Sequence, residues 1–463
     1  MNQRSLMQVA TAALALLLIA GGRQTVAVDE AVQTAMHAQR VPGAEIAIAE
    51  GNTLSLDQGY GIANVKANSA VTSATQFEIG SITKQIAAAA ILQLKEQGKL
   101  KLSDRLGTFV PKYVPGRNVT LRQMLWQISG IPDFMFVHGF PTFWRLMLRN
   151  PGGFTSALAL IKDQPLQFTP GTSYAYSNSN YVLLGEVIAR VTHISWQDYV
   201  RKNILSRAGM IQTSFMEQVP PLSNMAVGYR EDPKGVMVPG PSFGHWPGAA
   251  GSIVSTATDI ARWDQAFFAG KIVSQKDVEL ATTAHILPSG ESTGEGFGWD
   301  VDTYDGQPRF SYTGRTNGFT AENEYFPKTG EAIIILTNSA DEQVRLIANA
   351  VFAVLHPAPA RATPAPGEDP KVTALLKEWI HRLQTDDIDA SQLSPQASSA
   401  DLTENEQILR KFGALMAAIY RGKAVDKTET HYRYTLQFKG ASLLMVMALD
   451  TDGKIASFSM LAQ

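Results

Sequence analysis

The sequence predicts an α/β chain of the α+β type, built as a large first domain followed by a small α+β domain. Three observations predict it. A helical stretch from Ser81 to Gly98 is almost entirely small and apolar, and strand signals stand on either side of it at Glu45–Glu50 and Ala332–Leu336. Five prolines (Pro357, Pro359, Pro364, Pro366, Pro370) crowd into the fifteen residues 356–370, a semi-rigid linker without apolar periodicity. Beyond that linker the texture changes and ends in strands of two-residue period.

In chain order, Arg4 precedes an apolar run from Leu6 to Ala20 that only Gln8 and Thr11 interrupt. Thr25-Val26-Ala27 then offers the small residues that suit signal peptidase. The run is short for a bilayer span of ~20 residues, so residues 1–27 read as a secretory signal peptide and the location as secreted or periplasmic. An uncleaved anchor is the alternative. Gly22 stands where a lipoprotein signal needs a cysteine. No later segment is apolar for long enough to span a membrane. The mature chain opens with a β-hairpin: Glu45–Glu50 alternates around Ile46 and Ile48, and Gly51-Asn52 turns it into Thr53 and Leu54. The stretch that Ser81 opens carries Ile86, Ala87 to Ala90, Ile91, Leu92 and Leu94, and Gly98 closes it as a C-cap. A helix apolar on most faces has to be buried. Further helices are expected at Leu121–Gln127, Tyr181–Thr192 and Thr258–Phe268, and the isoleucine-rich Ala332–Leu336 as a central strand. Residues 28–355 thus form the first domain and 371–463 the second. The second is expected to hold helices at Val372–Leu383 and Glu406–Tyr420, then three strands. In the first of these, Tyr432, Tyr434, Leu436 and Phe438 alternate with Arg433, Thr435, Gln437 and Lys439.

Composition narrows the chemistry. The chain has 463 residues, 45% of them hydrophobic and 18% charged, enough to bury a sizeable core. Forty basic against 42 acidic residues leave a formal charge of −2, so nucleic acid is not an expected partner. The absence of cysteine removes disulfides, thiolate metal sites and cysteine nucleophiles. The eight histidines never fall three to five residues apart, so there is no helical metal pair. What remains is chemistry without metal or cofactor, or binding alone.

Two motifs carry chemistry. Ser81-Ile82-Thr83-Lys84 is the chain's only S-x-x-K. Alone the pattern is weak, but Ser81 sits where a strand-like segment (Phe77 to Gly80) enters the buried helix. There the unpaired N–H groups of a helix start favour a developing oxyanion. Lys84 follows one turn later on the same face, and a lysine desolvated beside apolar residues can lose its proton and act as a base. Tyr176-Ser177-Asn178 is the only Y-x-N, in a polar loop (Ser173 to Asn180) before a helix. A tyrosine beside a cationic lysine is expected below its usual pKa of ~10 and so able to take the serine proton. Asn178, two residues on, is placed to hold substrate or lysine.

Together these residues resemble the serine β-lactamase and penicillin-binding-protein superfamily, in its class C β-lactamase and family VIII esterase branch. The middle motif of that branch begins with tyrosine, as here. Similar landmarks are Gly59-Tyr60-Gly61-Ile62-Ala63-Asn64, Phe77-Glu78-Ile79-Gly80-Ser81, Thr120 to Leu125, Ser129-Gly130-Ile131-Pro132-Asp133, Tyr176 to Gly185 and Gly251 to Thr256. The resemblance covers residues 30–355. It implies an antiparallel sheet flanked by helices, the transpeptidase-like fold, with the Ser81 helix in the middle. The last 93 residues are similar to a small NTF2-like domain.

The third motif has two candidates. Lys328-Thr329-Gly330 is a literal K-T-G, but Pro327 precedes it and the isoleucine strand begins at once, so it reads as a hairpin turn. Tyr312-Thr313-Gly314 follows a strand and leads into Arg315-Thr316-Asn317-Gly318-Phe319, the place where the family carries its third motif. It is assigned here, with tyrosine in place of the lysine of β-lactamases. Gly240-Pro241-Ser242-Phe243-Gly244 is a G-x-S-x-G, but no strand leads into it and no helix follows, so Ser242 and its neighbour His245 read as loop residues. The resemblance then implies a serine hydrolase with Ser81 as nucleophile, and with Lys84 and Tyr176 sharing the general-base role. Asn178, Tyr312, Thr313 and Gly314 position a small ester or peptide substrate. The backbone N–H groups of Ser81 and Arg315 form the oxyanion hole, with no cofactor and no metal. A non-catalytic cell-wall or ligand-binding protein that keeps the cleft is the rival reading, and the residues do not say what the second domain binds.

Overall fold

The structure is a computed structural model that describes residues 25–461 except 151, 217–223, 233, 235–236, 341–343, 357–364, 396, 398–401, 404, 407–408, 411–413, 426–427 and 439–440. The signal-peptide reading falls almost wholly outside the described residues, as does half of the proline-rich linker. Two compact units are present: Val41–Glu342, and the described residues of Met1–Arg40 together with those of Gln343–Gln463. Helix 25–38 and helix Val344–Leu355 therefore cluster with the C-terminal part. No helix among the described residues is long and apolar enough to cross a membrane.

The larger unit is built on an antiparallel sheet of seven strands. Their order is Ser69–Ala70, Thr53–Asn64, Gly43–Glu50, Glu331–Thr337, Thr320–Phe326, Gln307–Arg315 and Asp300–Tyr304. The isoleucine-rich strand lies in the middle, as a run apolar on both faces requires, with Ile335 opposite both Ile46 and Glu322. The expected hairpin is present, turning at Gly51, and Pro327 to Gly330 form the turn between two neighbouring strands. Lys328 is thus a turn residue.

The serine helix differs from expectation in its first turn. Gly80–Ile82 is a 3₁₀ turn and the α-helix runs Thr83–Glu96. Every residue from Ile82 to Leu94 is buried, so the helix is the axis of the core. Its end is a Schellman motif: the Gly98 N–H bonds to Lys95 O and the Lys99 N–H to Leu94 O, with Gly98 at φ +68°. Other helices run Leu121–Leu125, Asn178–Thr192 and Ala257–Phe268. The second starts three residues before its expected start, so Asn178 is its first residue and no longer loop.

The second unit carries its own core of Leu376, Trp379, Ile380, Leu383, Tyr434, Leu436, Met445, Met447 and Phe458. Pro370 begins a helix, Pro370–Thr385, where its fixed φ and missing N–H cost nothing, so it belongs to the helix and not to the linker. Of the helix expected over Glu406–Tyr420, Glu406 and Leu409 are helical, but the part from Leu415 on is corrected. Leu415–Val425 is a strand, the first of four in an antiparallel sheet with Glu429–Phe438, Ala441–Asp450 and Ile455–Leu461, where three strands were expected. Bulges between Leu415 and Ala417 and between Tyr420 and Gly422 break its two-residue period and hide it in the sequence.

Candidate functional site

Ser81 and Lys84 project from adjacent turns. The Lys84 side chain is fully buried, and its Nζ lies 2.9 Å from Ser81 Oγ, 2.9 Å from Asn178 Oδ1 and 2.7 Å from the Ala250 carbonyl oxygen. Desolvation lowers its pKa from 10.5 to about 7, and the charges of Asp133 and Glu295 oppose the fall. On the other side of Ser81 Oγ the Tyr176 hydroxyl is 2.6 Å away. The structure thus brings Ser81, Lys84, Tyr176 and Asn178 into one cluster from separate parts of the chain.

Tyr176 does not follow the expected titration. Burial raises its pKa above that of a free phenol, and the charges of Glu295, Asp133 and Asp300 add to the rise, while the hydrogen bond with Ser81 offsets part of it. The residue is 39% exposed, so water screens some of this, but burial remains the leading cause and the direction is opposite to the one expected beside a lysine. At neutral pH Tyr176 is a protonated donor.

The Tyr176 loop is fixed from below by residues 127–134. Gln127, in a left-handed backbone conformation (φ +57°), accepts the Ser177 N–H at 3.1 Å and Asn180 Nδ2 at 2.6 Å on its side-chain oxygen. Ser129 Oγ donates to Asn180 Oδ1, and Ser179 Oγ donates to the Pro132 carbonyl while accepting the Phe134 N–H. Asp133 accepts both the backbone and side-chain N–H groups of Asn178 (3.0 and 2.8 Å), turning Asn178 Oδ1 toward Lys84. The Ser129–Asp133 landmark therefore has a physical role: it is the bed on which the second motif lies.

The third-motif strand reaches the serine through glycine. A Cβ at Gly314 would lie 1.9 Å from Ile79 O and 3.1 Å from Ser81 N, and one at Gly80 would lie 2.6 Å from Arg315 N. Backbone thus packs on backbone, and the peptide planes of Ser81 and Arg315 come together. The strand pairs with Thr320–Phe326 without any shift of register, so Tyr312 and Gly314 share one face and Thr313 and Arg315 the other. Thr313 Oγ1 donates to Glu322 at 2.5 Å, and the exposed Arg315 guanidinium donates to the Ala340 carbonyl at 2.6 Å. The Thr313 and Arg315 side chains thus lie on the face opposite Tyr312.

Glu295 is the site residue that sequence reasoning missed. Its carboxylate accepts the hydroxyls of Tyr312, at 2.7 Å, and of Tyr174. Burial raises its pKa to about 7, with the two phenol bonds lowering it and Asp300 raising it. Gly298 lets its loop lie against the serine helix, since a Cβ there would sit 2.9 Å from Gln85 N. A glutamate in a glycine-rich loop has no periodic signal, so nothing in the sequence marks it. Ser242 lies in a loop with Glu78 Oε1 3.4 Å from its hydroxyl. Among the described residues no group of three or more His, Asp or Glu side chains is arranged to hold a metal ion.

The family model for Beta-lactamase matches residues 28–356. The chain belongs to the beta-lactamase family. This beta-lactamase-family chain is 30% identical over 316 residues to the Bacillus subtilis (strain 168) protein named penicillin-binding protein PbpX, covering 67% of the chain and 74% of the relative. It is 26% identical over 327 residues to protein flp of Staphylococcus aureus (strain N315), of which the match spans 64%. Three solved structures share the fold. The octameric penicillin-binding protein homologue from Pyrococcus abyssi has a TM-score of 0.65 at 23% identity, with 95% of this chain and 99% of that one covered. The D-amino acid amidase from Ochrobactrum anthropi SV3 with D-phenylalanine gives 0.61 at 22%, covering 71% and 98%, and a class C beta-lactamase 0.60 at 22%, covering 73% and 97%.

The Gly314–Ile79 contact leaves no room for a methyl group. Gly314→Ala is expected to slow labelling of Ser81 by a fluorophosphonate at least about a hundredfold, as for loss of an oxyanion donor, with the fold retained by circular dichroism. Labelling at the wild-type rate refutes the contact. Lys84 yields a second expectation. If it must be neutral to act, kcat/KM for a neutral ester rises with pH through about 7. A profile flat from about pH 5.5 to 8.5 shows that another group is the base.

Proposed function

We propose that the chain is a serine hydrolase that cleaves ester or amide bonds of small substrates through an acyl-enzyme on Ser81. The family supports hydrolysis of this kind, and the observation that carries the assignment is the oxygen shell of Lys84. Of its three neighbours, Asn178 Oδ1 and the Ala250 carbonyl can only accept. A neutral amine gives its two N–H groups to them and turns its lone pair to the third, the Ser81 hydroxyl. Ser81 Oγ attacks the carbonyl carbon as its proton passes to Lys84 Nζ. The backbone N–H groups of Ser81 and Arg315 receive the oxyanion. Tyr176, protonated and hydrogen-bonded to Ser81 Oγ, is the donor to the leaving group. Water then attacks the acyl carbonyl and gives its proton to the Tyr176 phenolate left by the first half, while Lys84 Nζ returns the proton it took to Ser81 Oγ, which departs as the hydroxyl and frees the acid. The apolar run Leu6 to Ala20 supports a secreted or periplasmic site of action.

Within this reading, esters and D-amino-acid peptides suit the cleft better than β-lactams. β-Lactam recognition by a charged third-motif residue needs a cation, and Tyr312 offers a phenol already bonded to Glu295. A fluorophosphonate is expected to label wild type and Ser242→Ala but not Ser81→Ala; labelling of Ser81→Ala at the wild-type rate removes the assignment, and no labelling of wild type leaves the ligand-binding rival. A second test concerns charge. At pH 8, Tyr312→Lys alone is expected to leave nitrocefin hydrolysis weak, because its ammonium pairs with Glu295. Tyr312→Lys with Glu295→Gln frees it, raising kcat/KM about tenfold, the worth of one charge-assisted hydrogen bond. Equal gains in the single and double variants refute the role given to Glu295.

A further inference from the structure

Glu78 is a buried carboxyl group that the reaction derived above does not use. It lies three residues before Ser81, on the short strand Phe77–Glu78, where pairing puts it opposite Val254. It is 4% exposed, and burial pushes its pKa up to about 7. Burying such a group is costly unless hydrogen bonds meet it, so its partners matter. Two hydroxyl groups favour its charged form: Thr316 first, then Ser242, whose Oγ lies 3.4 Å from Glu78 Oε1. Thr316 is buried, and its Oγ1 is outside hydrogen-bond geometry with any described residue. A buried hydroxyl left unpaired costs free energy, and the carboxylate it faces is the acceptor that relieves this.

The place of Thr316 in the chain gives the contact its meaning. Residues 78–81 and 314–316 run side by side: Gly314 packs on Ile79 O, Gly80 on the Arg315 peptide, and Thr316 faces Glu78. The first two contacts are made by glycine leaving space, so neither grips the strand with a side chain. The Arg315 N–H, second donor to the oxyanion, is one residue from Thr316. Beyond it the chain turns, with the Thr316 N–H bonded to Phe319 O at 2.9 Å. Asn317 Nδ2 donates to the Pro241 carbonyl at 2.9 Å, and a Cβ at Gly240 would lie 2.0 Å from Asn317 O. Ser242 leads from that loop back to Glu78. Three segments therefore meet at one carboxylate: the strand before the serine, the end of the third-motif strand, and the loop 240–244.

We infer that Glu78 is a positioning residue for the oxyanion hole: by accepting the Thr316 hydroxyl it fixes the Arg315 N–H beside that of Ser81. This rests on the Ser81 hydrolase reading.

The test compares p-nitrophenyl acetate with its thionoester, O-p-nitrophenyl thionoacetate, on the full chain. Sulfur is larger than oxygen and a weaker hydrogen-bond acceptor. A well-aligned pair of N–H groups therefore favours the oxygen ester, and misalignment erodes that preference. Glu78→Ala and Thr316→Val are each expected to lower kcat on the acetate about tenfold or more with KM little changed. Each should also narrow the oxygen-to-sulfur ratio of kcat/KM about fivefold or more. Glu78→Gln keeps an acceptor oxygen for Thr316 and should recover most of both losses. If Glu78→Ala does not fold, Thr316→Val and Glu78→Gln carry the comparison. The double variant should be no slower than the poorer single one, because its second change removes a contact already gone. Unchanged rates in folded variants overturn the role, as does a wild type with no preference for the oxygen ester. An equal fall on both esters overturns it too, since that marks a general loss of structure, and so do losses that multiply in the double variant. Absence of acetate turnover together with absence of Ser81 labelling in wild type is a separate result: it removes the hydrolase reading and the role of Glu78 with it.

Discussion

A buried lysine is the constraint on which the site depends. Lys84 stands on a helix whose flanking residues Ile82, Ile86, Ala87 and Ala88 are all inside the core, so its ammonium has lost its hydration shell. Such a group persists only if the protein supplies oxygen atoms, and here three arrive from three places: the preceding turn of the same helix, the start of helix Asn178–Thr192, and the Gly248–Ala250 turn. The Gln127–Phe134 bed follows from this need, because a loose Asn178 would leave Lys84 Nζ with one carbonyl fewer and a different proton affinity.

A second consequence is the crowding of carboxylates. Asp133 and Glu295 both favour the charged lysine, and burial raises the pKa of each. The cleft thus carries two buried carboxyl groups, both with raised pKa values, around one amine. Burial, with these carboxylates, keeps Tyr176 protonated at rest, and the proposed reaction assigns proton removal to Lys84 and proton return to the phenol, where the sequence suggested that the two share one task.

Much of the site was legible because its chemistry sits on regular elements. Ser81 and Lys84 are one helical turn apart on an apolar helix, and Tyr176 and Asn178 sit at a helix start, so spacing alone brought each pair together. Gly314 and Tyr312 were readable through the strand that holds them. The remainder depended on contacts between distant segments. Glu295 reaches Tyr312 by a loop, and Gln127 acts through a left-handed backbone that no residue type announces. In the second unit, Leu415–Val425 contains alanine, leucine and methionine, which favour helix, yet pairing with Glu429–Phe438 makes it a strand. Cross-strand neighbours outvote local preference there.

The third-motif strand separates two kinds of position. Its register is pinned by the Thr313–Glu322 bond and by the Gly314 contact with Ile79, neither of which involves the side chain at 312. What residue 312 offers the cleft is set instead by its bond to Glu295, apart from how the strand meets the serine helix. A change of charge in this cleft therefore needs residues 312 and 295 to move as a pair, while the acylating apparatus beneath them stands still.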